Sequence, residues 1–357
     1  MQAGNFLLED VSLSAHHAQC HIIVGPTGSG KTLVLEAIIG FRKPDKGEIL
    51  VDGRNITGLA IEERGISYVP QDLSIFPHLT VEENILYGVN LQKRKDGRRH
   101  VLAGELVDAL GIGHLLKRST MNLSGGELQR VALVRAIANG AKYLLLDEPL
   151  SSLHESLKKE IWFLLKELQT RYDLTILMVT HDLEEAFFLG DTISIFINGK
   201  VHQTGKKKTI YTTPETLEVA KFMGIRNLFT AEVAGSEKNV FKIHCPQLGR
   251  DLVIPKGATN DAGRFEKGEK IMAGIRPEEA MILRSGDYKK NRDNIIEGTI
   301  ANIFAKGASH TLFFMLDNDG QRIEVEIPDY ALKKLQILKG ERREISLRGE
   351  NIFLLKI

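Results

Sequence analysis

The run Gly25-Pro26-Thr27-Gly28-Ser29-Gly30-Lys31-Thr32 is built to hold a phosphate chain. It meets the pattern G-x-x-x-x-G-K-[ST] at every fixed position. Glycine lets successive backbone N–H groups turn inward into a concave nest that a Cβ would obstruct. Lys31 can then reach the β and γ phosphates, and the Thr32 hydroxyl can complete the shell of a Mg²⁺ ion. Two more stretches add carboxylate and imidazole chemistry. The apolar run Tyr143-Leu144-Leu145-Leu146 ends in Asp147-Glu148, which suits a Mg²⁺-associated acid followed by a base that polarises water. A second apolar run, 175–179, ends at Thr180-His181-Asp182 and adds the imidazole. Shortly before the first of these runs, Ser124 can cap a helix whose first residues, Gly125 and Gly126, let backbone N–H groups approach an anion. Together these residues point to binding of a nucleoside triphosphate.

Such groups work only if the fold gathers them. Ile22-Ile23-Val24 reads as a buried strand entering the glycine loop, and Leu33, Leu35, Ala37 and Ile38 as the helix that leaves it. Its N-terminus then points at the phosphates. Strands are expected at 6–13, 19–24, 48–51 and 66–69, the last ending at Pro70-Gln71, with turns at Pro44-Asp45-Lys46-Gly47 and Asp52-Gly53. The stretch from 79 to about 135 reads as a helical subdomain inserted into an α/β core. In open α/β sheets ligands bind at the carboxyl ends of strands, so Asp147, Glu148 and His181 are expected to converge there with the glycine loop.

Bulk properties narrow the class. At 357 residues the chain is long for one domain. A hydrophobic content of 43% with 26% charged residues is that of a soluble globular protein. The net charge of +1 argues against a nucleic-acid partner, and the basic runs Lys93-Arg94-Lys95 and Lys206-Lys207-Lys208 read as solvated loops. The two cysteines, Cys20 and Cys245, lack metal-like spacing and imply free thiols in a reducing compartment. The adjacent His16 and His17 read as a solvated turn. Met1 to Asp10 does not read as a signal peptide, and no apolar run approaches the ~20 residues that span a bilayer. A membrane would be reached through a partner.

In order along the chain, the glycine loop, Gln71, Leu123-Ser124-Gly125-Gly126-Glu127, Asp147-Glu148 and His181 resemble the ATP-binding subunit of ABC transporters over roughly residues 1–225. The resemblance implies ATP and Mg²⁺ as cofactors. It implies that Gly25 to Thr32 hold phosphates, with Thr32, Gln71 and Asp147 at the metal. Glu148 is then the general base, His181 contacts the γ-phosphate, and Gln71 senses the metal or the attacking water beside a membrane partner. Ser124, Gly125 and Gly126 would act on nucleotide held by a second copy in a head-to-tail dimer. Phe6 lies where the family has an adenine-stacking aromatic, although a lone Phe starting a strand is core almost as often. The implied partners are a permease and, through it, a solute-binding protein, and the implied location is the cytoplasmic face of the membrane. One departure stands out: Ser151-Ser152-Leu153-His154 replaces the family's usual S-A-L-D, so an imidazole stands where an aspartate joins the two sites.

From about residue 226 the texture changes to short strands and glycine turns, and it repeats. Arg226 to Val233 echoes Asn294 to Ile300, Ile254-Pro255 echoes Ile327-Pro328, and Lys267-Gly268-Glu269-Lys270 echoes Lys339-Gly340-Glu341-Arg342. The expectation is a duplicated, OB-like β-domain with copies at about 226–285 and 292–357. Ile275-Arg276-Pro277-Glu278 resembles the regulatory module of importer ATPases. Phe76 to Asn84 and the C-terminal barrel resemble bacterial and archaeal importers more than exporters, while the close spacing before the glycine loop, with Gly4-Asn5-Phe6, and the doubled unit look like molybdate or tungstate importers. Subunits for sulfate, ferric iron, polyamines or sugars have similar cores, and the sequence does not separate them. An oxyanion at the doubled unit would draw on Lys306, Gly307, Ser309 and nearby N–H groups, with packing or dimerisation as the ligand-free alternative. A soluble ABC ATPase without a permease, or a module that senses ATP without turning it over, are the contrasting readings.

Overall fold

The computed structural model describes residues 1–3, 6–91, 97–237, 239–257, 265–284, 294–317 and 320–357. Gly4-Asn5 and Lys93-Arg94-Lys95 lie outside the described residues. The chain divides into two compact units, Met1–Lys207 and Lys208–Ile357.

The first unit is built on strands β1 (Cys20–Val24), β2 (Ile66–Val69), β3 (Tyr143–Asp147), β4 (Thr175–Thr180), β5 (Thr192–Ile197) and β6 (Lys200–Lys206). They form one sheet in the order β6-β5-β1-β4-β3-β2. All neighbours run parallel except the β6–β5 pair. β1 and β4 are buried along their whole length, so they read as continuous apolar runs without alternation. Ile23, Leu35, Leu145, Val179 and Phe196 close the core between the sheet and helix α1 (Lys31–Ile39). Because β1 to β4 run parallel, their carboxyl ends share one edge. That edge receives the glycine loop, Gln71, Glu148 and His181.

The expected helical insertion contains α2 (Val81–Leu91), α3 (Gly97–Ala109) and α4 (Gly125–Ala138). α5 (Glu155–Arg171) and α6 (Leu183–Leu189) follow β3 and β4. Two expected strands are shorter than their sequence suggests. The 6–13 strand is confined to Phe6–Leu7, paired with Gln2–Ala3, because Asp10 turns left-handed at φ +50° and breaks the extended run. The 48–51 strand shrinks to Leu50–Val51, paired with Arg54–Asn55 across Asp52-Gly53. Both turn residues have positive φ, the conformation a tight hairpin demands. Lys206 ends β6 and Lys207 opens a short helix, Lys207–Thr212, so this basic run is an exposed strand-to-helix junction.

The second unit holds β7 (Asn227–Ser236), β8 (Val240–Cys245), β9 (Arg250–Pro255), β10 (Lys270–Ile275), β11 (Ala280–Ile282), β12 (Ile295–Lys306), β13 (Ser309–Leu316), β14 (Arg322–Pro328), β15 (Arg342–Leu347) and β16 (Phe353–Lys356). They form two antiparallel sheets, β9-β8-β7-β10-β16 and β11-β15-β12-β13-β14. Each sheet takes its last strand from the other half of the sequence: β11 crosses to pair with β15, and β16 returns to pair with β10. One apolar cluster, including Phe229, Phe241, Leu312, Phe314 and Ile345, fills the space between them. Alternating buried and exposed residues along β7 and β14 mark sheets with one face on the core.

Candidate nucleotide site

The glycine loop is shaped by what surrounds it. A Cβ on Gly25 would lie 1.8 Å from the Phe196 carbonyl oxygen, so only glycine lets the loop leave β1 beside β5. Gly30 has φ +95° and is the N-cap of α1, and a Cβ there would meet the Phe6 ring at 2.4 Å. Phe6 therefore packs over the loop. The Ser29 Oγ is buried without a hydrogen-bond partner, an orphaned polar atom at the base of the nest.

Lys31 and Thr32 open α1 and lean toward the ends of β3 and β4. The Lys31 ammonium donates to the Gly25 and Pro26 carbonyls at 3.0 Å each and lies 3.6 Å from Glu148 Oε1. Burial depresses its pKa, and the Glu148 charge opposes that shift. The Thr32 hydroxyl donates to Asp147 Oδ1 at 3.0 Å, while Tyr68 on β2 donates to Asp147 Oδ2 at 3.2 Å. Burial raises the Asp147 pKa, and these two hydrogen bonds work the other way.

Glu148 is the first residue after β3 and sits at φ +42°, a conformation rarely taken outside glycine. Its N–H bonds to the Val179 carbonyl at 3.0 Å, and its own carbonyl accepts from Ser151. The carboxylate thus stands between Lys31 and the imidazole of His181, whose Nδ1 is 2.9 Å from Oε2. Lys31, Thr32, Asp147, Glu148 and His181 form one connected cluster.

The donor set fits nucleotide and metal. A nest of N–H groups with a buried ammonium and an orphaned hydroxyl suits polyphosphate. Among the described residues no three His, Cys, Asp or Glu side chains gather for a metal. A hydroxyl and a carboxylate suffice for Mg²⁺, which keeps several waters and takes oxygens from substrate phosphates.

Other predicted residues stand apart. Gln71 is exposed on the loop after β2. Ser124 caps α4 in a reciprocal box: its Oγ accepts from the Glu127 N–H, and Glu127 Oε2 accepts from the Ser124 N–H at 2.7 Å. Among the described residues no hydrogen bond or ion pair joins Ser124, Gly125 or Gly126 to the Lys31 cluster of the same chain. His154 is the exposed N-cap of α5, without a side-chain capping bond. At the tip of the β12–β13 hairpin, Ser309 Oγ donates to Glu326 Oε1 at 2.9 Å and Lys306 Nζ lies 3.9 Å from Oε2. The two candidate oxyanion donors beside Gly307 therefore already face a carboxylate.

Three supporting residues were not legible as such. Tyr68 reaches Asp147 only because β2 and β3 are neighbours. Arg135 on α4 donates to the carbonyls of Leu73 and Ser74 at 2.6 and 2.7 Å and lies over the Phe76 ring. Leu73 and Ser74 both have positive φ, so Arg135 holds the segment after Gln71 in a strained form. Lys158 is bound to the loop that carries His181. Its place in the run Glu155 to Glu160 reads as an ordinary solvated helix face.

The sequence profile of the ABC transporter family matches residues 8–151. The molybdate/tungstate import ATP-binding protein WtpC of Pyrococcus horikoshii is 35% identical over 349 residues, which cover 97% of this chain and 95% of that protein. The spermidine/putrescine import ATP-binding protein PotA of Legionella pneumophila is 33% identical over 305 residues, or 85% of this chain and 81% of that one. Among solved structures, the dimeric structure of MJ0796, a bacterial ABC transporter cassette, matches with a TM-score of 0.51 and 31% identity over 56% of this chain and 90% of its own.

Proposed function

The chain belongs to the ABC transporter family of ATP-binding proteins, and from that premise we propose that it powers import of molybdate or tungstate through a separate membrane permease. That it is an ATPase follows from the family, and the similarity to import ATP-binding proteins supports the importer class. The observation that carries the enzymatic reading is the Lys31–Glu148–His181 chain of contacts at the carboxyl edge of the sheet. The Lys31 ammonium holds phosphate oxygens, and Glu148 takes a proton from the attacking water. His181 orients the Glu148 carboxylate and meets the γ-phosphate. Mg²⁺, held by Thr32 and Asp147, would neutralise charge on the phosphate oxygens when bound, with Gln71 proposed to join them from the loop after β2. Ser124, Gly125 and Gly126 serve the nucleotide of a second copy, consistent with their separation from the cluster in one chain. No described helix is long and apolar enough to cross a membrane. In this proposal the transport path belongs to a partner permease, and this subunit works at its cytoplasmic face.

The choice of solute rests on coverage. The molybdate/tungstate relative aligns along both units, whereas the polyamine relative leaves more of each chain unmatched at nearly the same identity. That near-equality keeps a polyamine as the second reading. The test is uptake in cells from which the gene for this chain is deleted. Loss of radiolabelled tungstate uptake with spermidine uptake intact is expected. Loss of spermidine uptake alone would overturn the solute assignment and leave the ATPase in place. An oxyanion sensor in the second unit is a finer part of the proposal, tested by isothermal titration of the full chain with molybdate, tungstate and sulfate. Glu326 predicts that any site lies away from Lys306 and Ser309.

A further inference from the structure

The turn that carries His181 is tied down from below. Thr180 Oγ1 donates to Glu185 Oε2 at 2.6 Å and accepts the Asp182 N–H at 3.0 Å. Asp182 Oδ1 caps α6, accepting the N–H groups of Glu184 and Glu185. This leaves the other oxygen of each carboxylate facing α5. Both meet Lys158, whose Nζ lies 3.0 Å from Asp182 Oδ2 and 3.6 Å from Glu185 Oε1. The contact is sheltered: the Lys158 and Glu185 side chains are 14% and 2% exposed. The ionic interaction is correspondingly little screened. Burial opposes the Lys158 charge, yet the Asp182 hydrogen bond and the two carboxylate charges together keep its pKa above that of an ordinary lysine.

Lys158 is also anchored at its backbone. Its N–H donates to the carbonyl of His154 at 3.0 Å, so it stands one turn above the residue that opens α5. One residue thus ties the start of α5, through its backbone, to the turn bearing His181, through its side chain, and His181 in turn touches Glu148.

We propose that Lys158 is a positioning residue for ATP hydrolysis, which holds the His181 turn at the height where its imidazole meets Glu148 and couples that height to the start of α5. The inference rests on the reading that Glu148 and His181 act in turnover. A lysine that merely stabilised the fold would lower the unfolding midpoint and, well below that midpoint, leave kcat per folded enzyme unchanged. A positioning residue acts on the chemical step.

The experiment measures steady-state ATP hydrolysis, ATP affinity and unfolding midpoint of the full chain for the wild type, Lys158→Met, Lys158→Arg, Asp182→Asn, His181→Ala, Glu148→Gln and the Lys158→Met/His181→Ala double variant. Asp182→Asn keeps the helix-capping oxygen but removes the charge, so it carries the test if Lys158→Met does not fold. Expected are a fall in kcat of about tenfold or more with KM for ATP changed less than about twofold, and recovery to within about threefold in Lys158→Arg. The double variant should be no slower than His181→Ala alone. Turnover that needs Glu148 and His181 but ignores Lys158→Met and Asp182→Asn overturns this inference alone, as does full additivity in the double variant. Turnover indifferent to Glu148→Gln and His181→Ala removes the underlying reading and this inference with it.

Discussion

His181 Nδ1 lies 2.9 Å from Oε2 of Glu148, whose other oxygen lies 3.6 Å from the Lys31 ammonium. One carboxylate therefore serves two partners: Lys31 competes for its charge, and the imidazole fixes its direction. Glu148→Gln keeps the shape and removes both the charge and the basicity. Turnover should fall by at least about 100-fold, the usual scale of a general base. Binding should survive. Removing a negative charge beside Lys31 leaves the ammonium free for phosphate, so the Kd for ATP measured by titration should stay equal or decrease. Weaker ATP binding in this variant would mean that Glu148 organises the loop and does not act as base.

The glycine loop supplies a contrast between two residues of one type. At Gly25 a Cβ would meet the Phe196 carbonyl at 1.8 Å, a backbone atom of β5 that cannot swing away. Gly28 has φ +79° and open space around it. Gly28→Ala should cost the fold itself only the left-handed strain, about 1–2 kcal/mol. Gly25→Ala must displace the loop or the strand and should abolish ATP binding. Nucleotide titration and thermal unfolding of both variants check the ranking. Equal effects would mean that the contact with β5 does not shape the nest.

A buried histidine supplies the pH dependence. His21 on β1 is wholly enclosed, with Nδ1 2.7 Å from the Ser14 carbonyl and Nε2 2.8 Å from Ser194 Oγ, which continues to Thr204. Nδ1 carries the proton toward the carbonyl, and Nε2 accepts from the serine hydroxyl. Burial lowers its pKa, opposed by the hydrogen bond that Nδ1 donates to the Ser14 carbonyl. The unfolded chain binds the proton more readily, so stability is fully present above about pH 6.5 and is lost as pH falls toward the folded value. Urea unfolding at pH 7.5, 6.5 and 5.5 should show this fall, and His21→Gln should reduce its slope. An unchanged slope would assign acid sensitivity to other groups.

What the sequence revealed and what it hid follow from the range of each interaction. The glycine loop, the apolar runs ending at Asp147 and His181, and the Ser124 box with Glu127 are local patterns, set by a few neighbouring residues. Tyr68 is different. It reaches Asp147 only through the pairing of β2 with β3, and nothing near Tyr68 in the chain encodes that neighbour. Lys158 and Arg135 look like ordinary helix cations, because their partners are a capping carboxylate and two loop carbonyls from other elements. The 6–13 strand failed at one residue, Asp10, whose left-handed turn outweighs the apolar pattern on either side. In the second unit the recurring landmarks fall at like places, Ile254-Pro255 and Ile327-Pro328 ending β9 and β14. The exchange of β11 and β16 between the sheets is a property of pairing that no local signal announces.

The same unit holds two asparagines that perform one task. Asn227 gives its amide to the Glu324 carbonyl at 2.8 Å and accepts the Glu324 N–H at 2.8 Å. Asn294 accepts the Val253 N–H at 2.7 Å and donates to the carbonyls of Val253 and Leu347 at 2.9 Å each. Each thereby closes the backbone of a strand from the opposite sheet, β14 for Asn227 and β9 for Asn294. Asn227→Ala orphans a buried N–H and a carbonyl and should cost roughly 2–4 kcal/mol. Asn294 additionally sits at φ +56°, where asparagine is tolerated and alanine is not. Asn294→Ala should therefore be less stable than Asn294→Gly by about 1 kcal/mol, although both lose the same hydrogen bonds. Equilibrium urea unfolding of the full chain, followed by a probe in the second unit, separates the two contributions. If Asn294→Gly were the less stable variant, chain entropy would outweigh the left-handed strain, and the latch at Val253 would be the whole reason for an asparagine there.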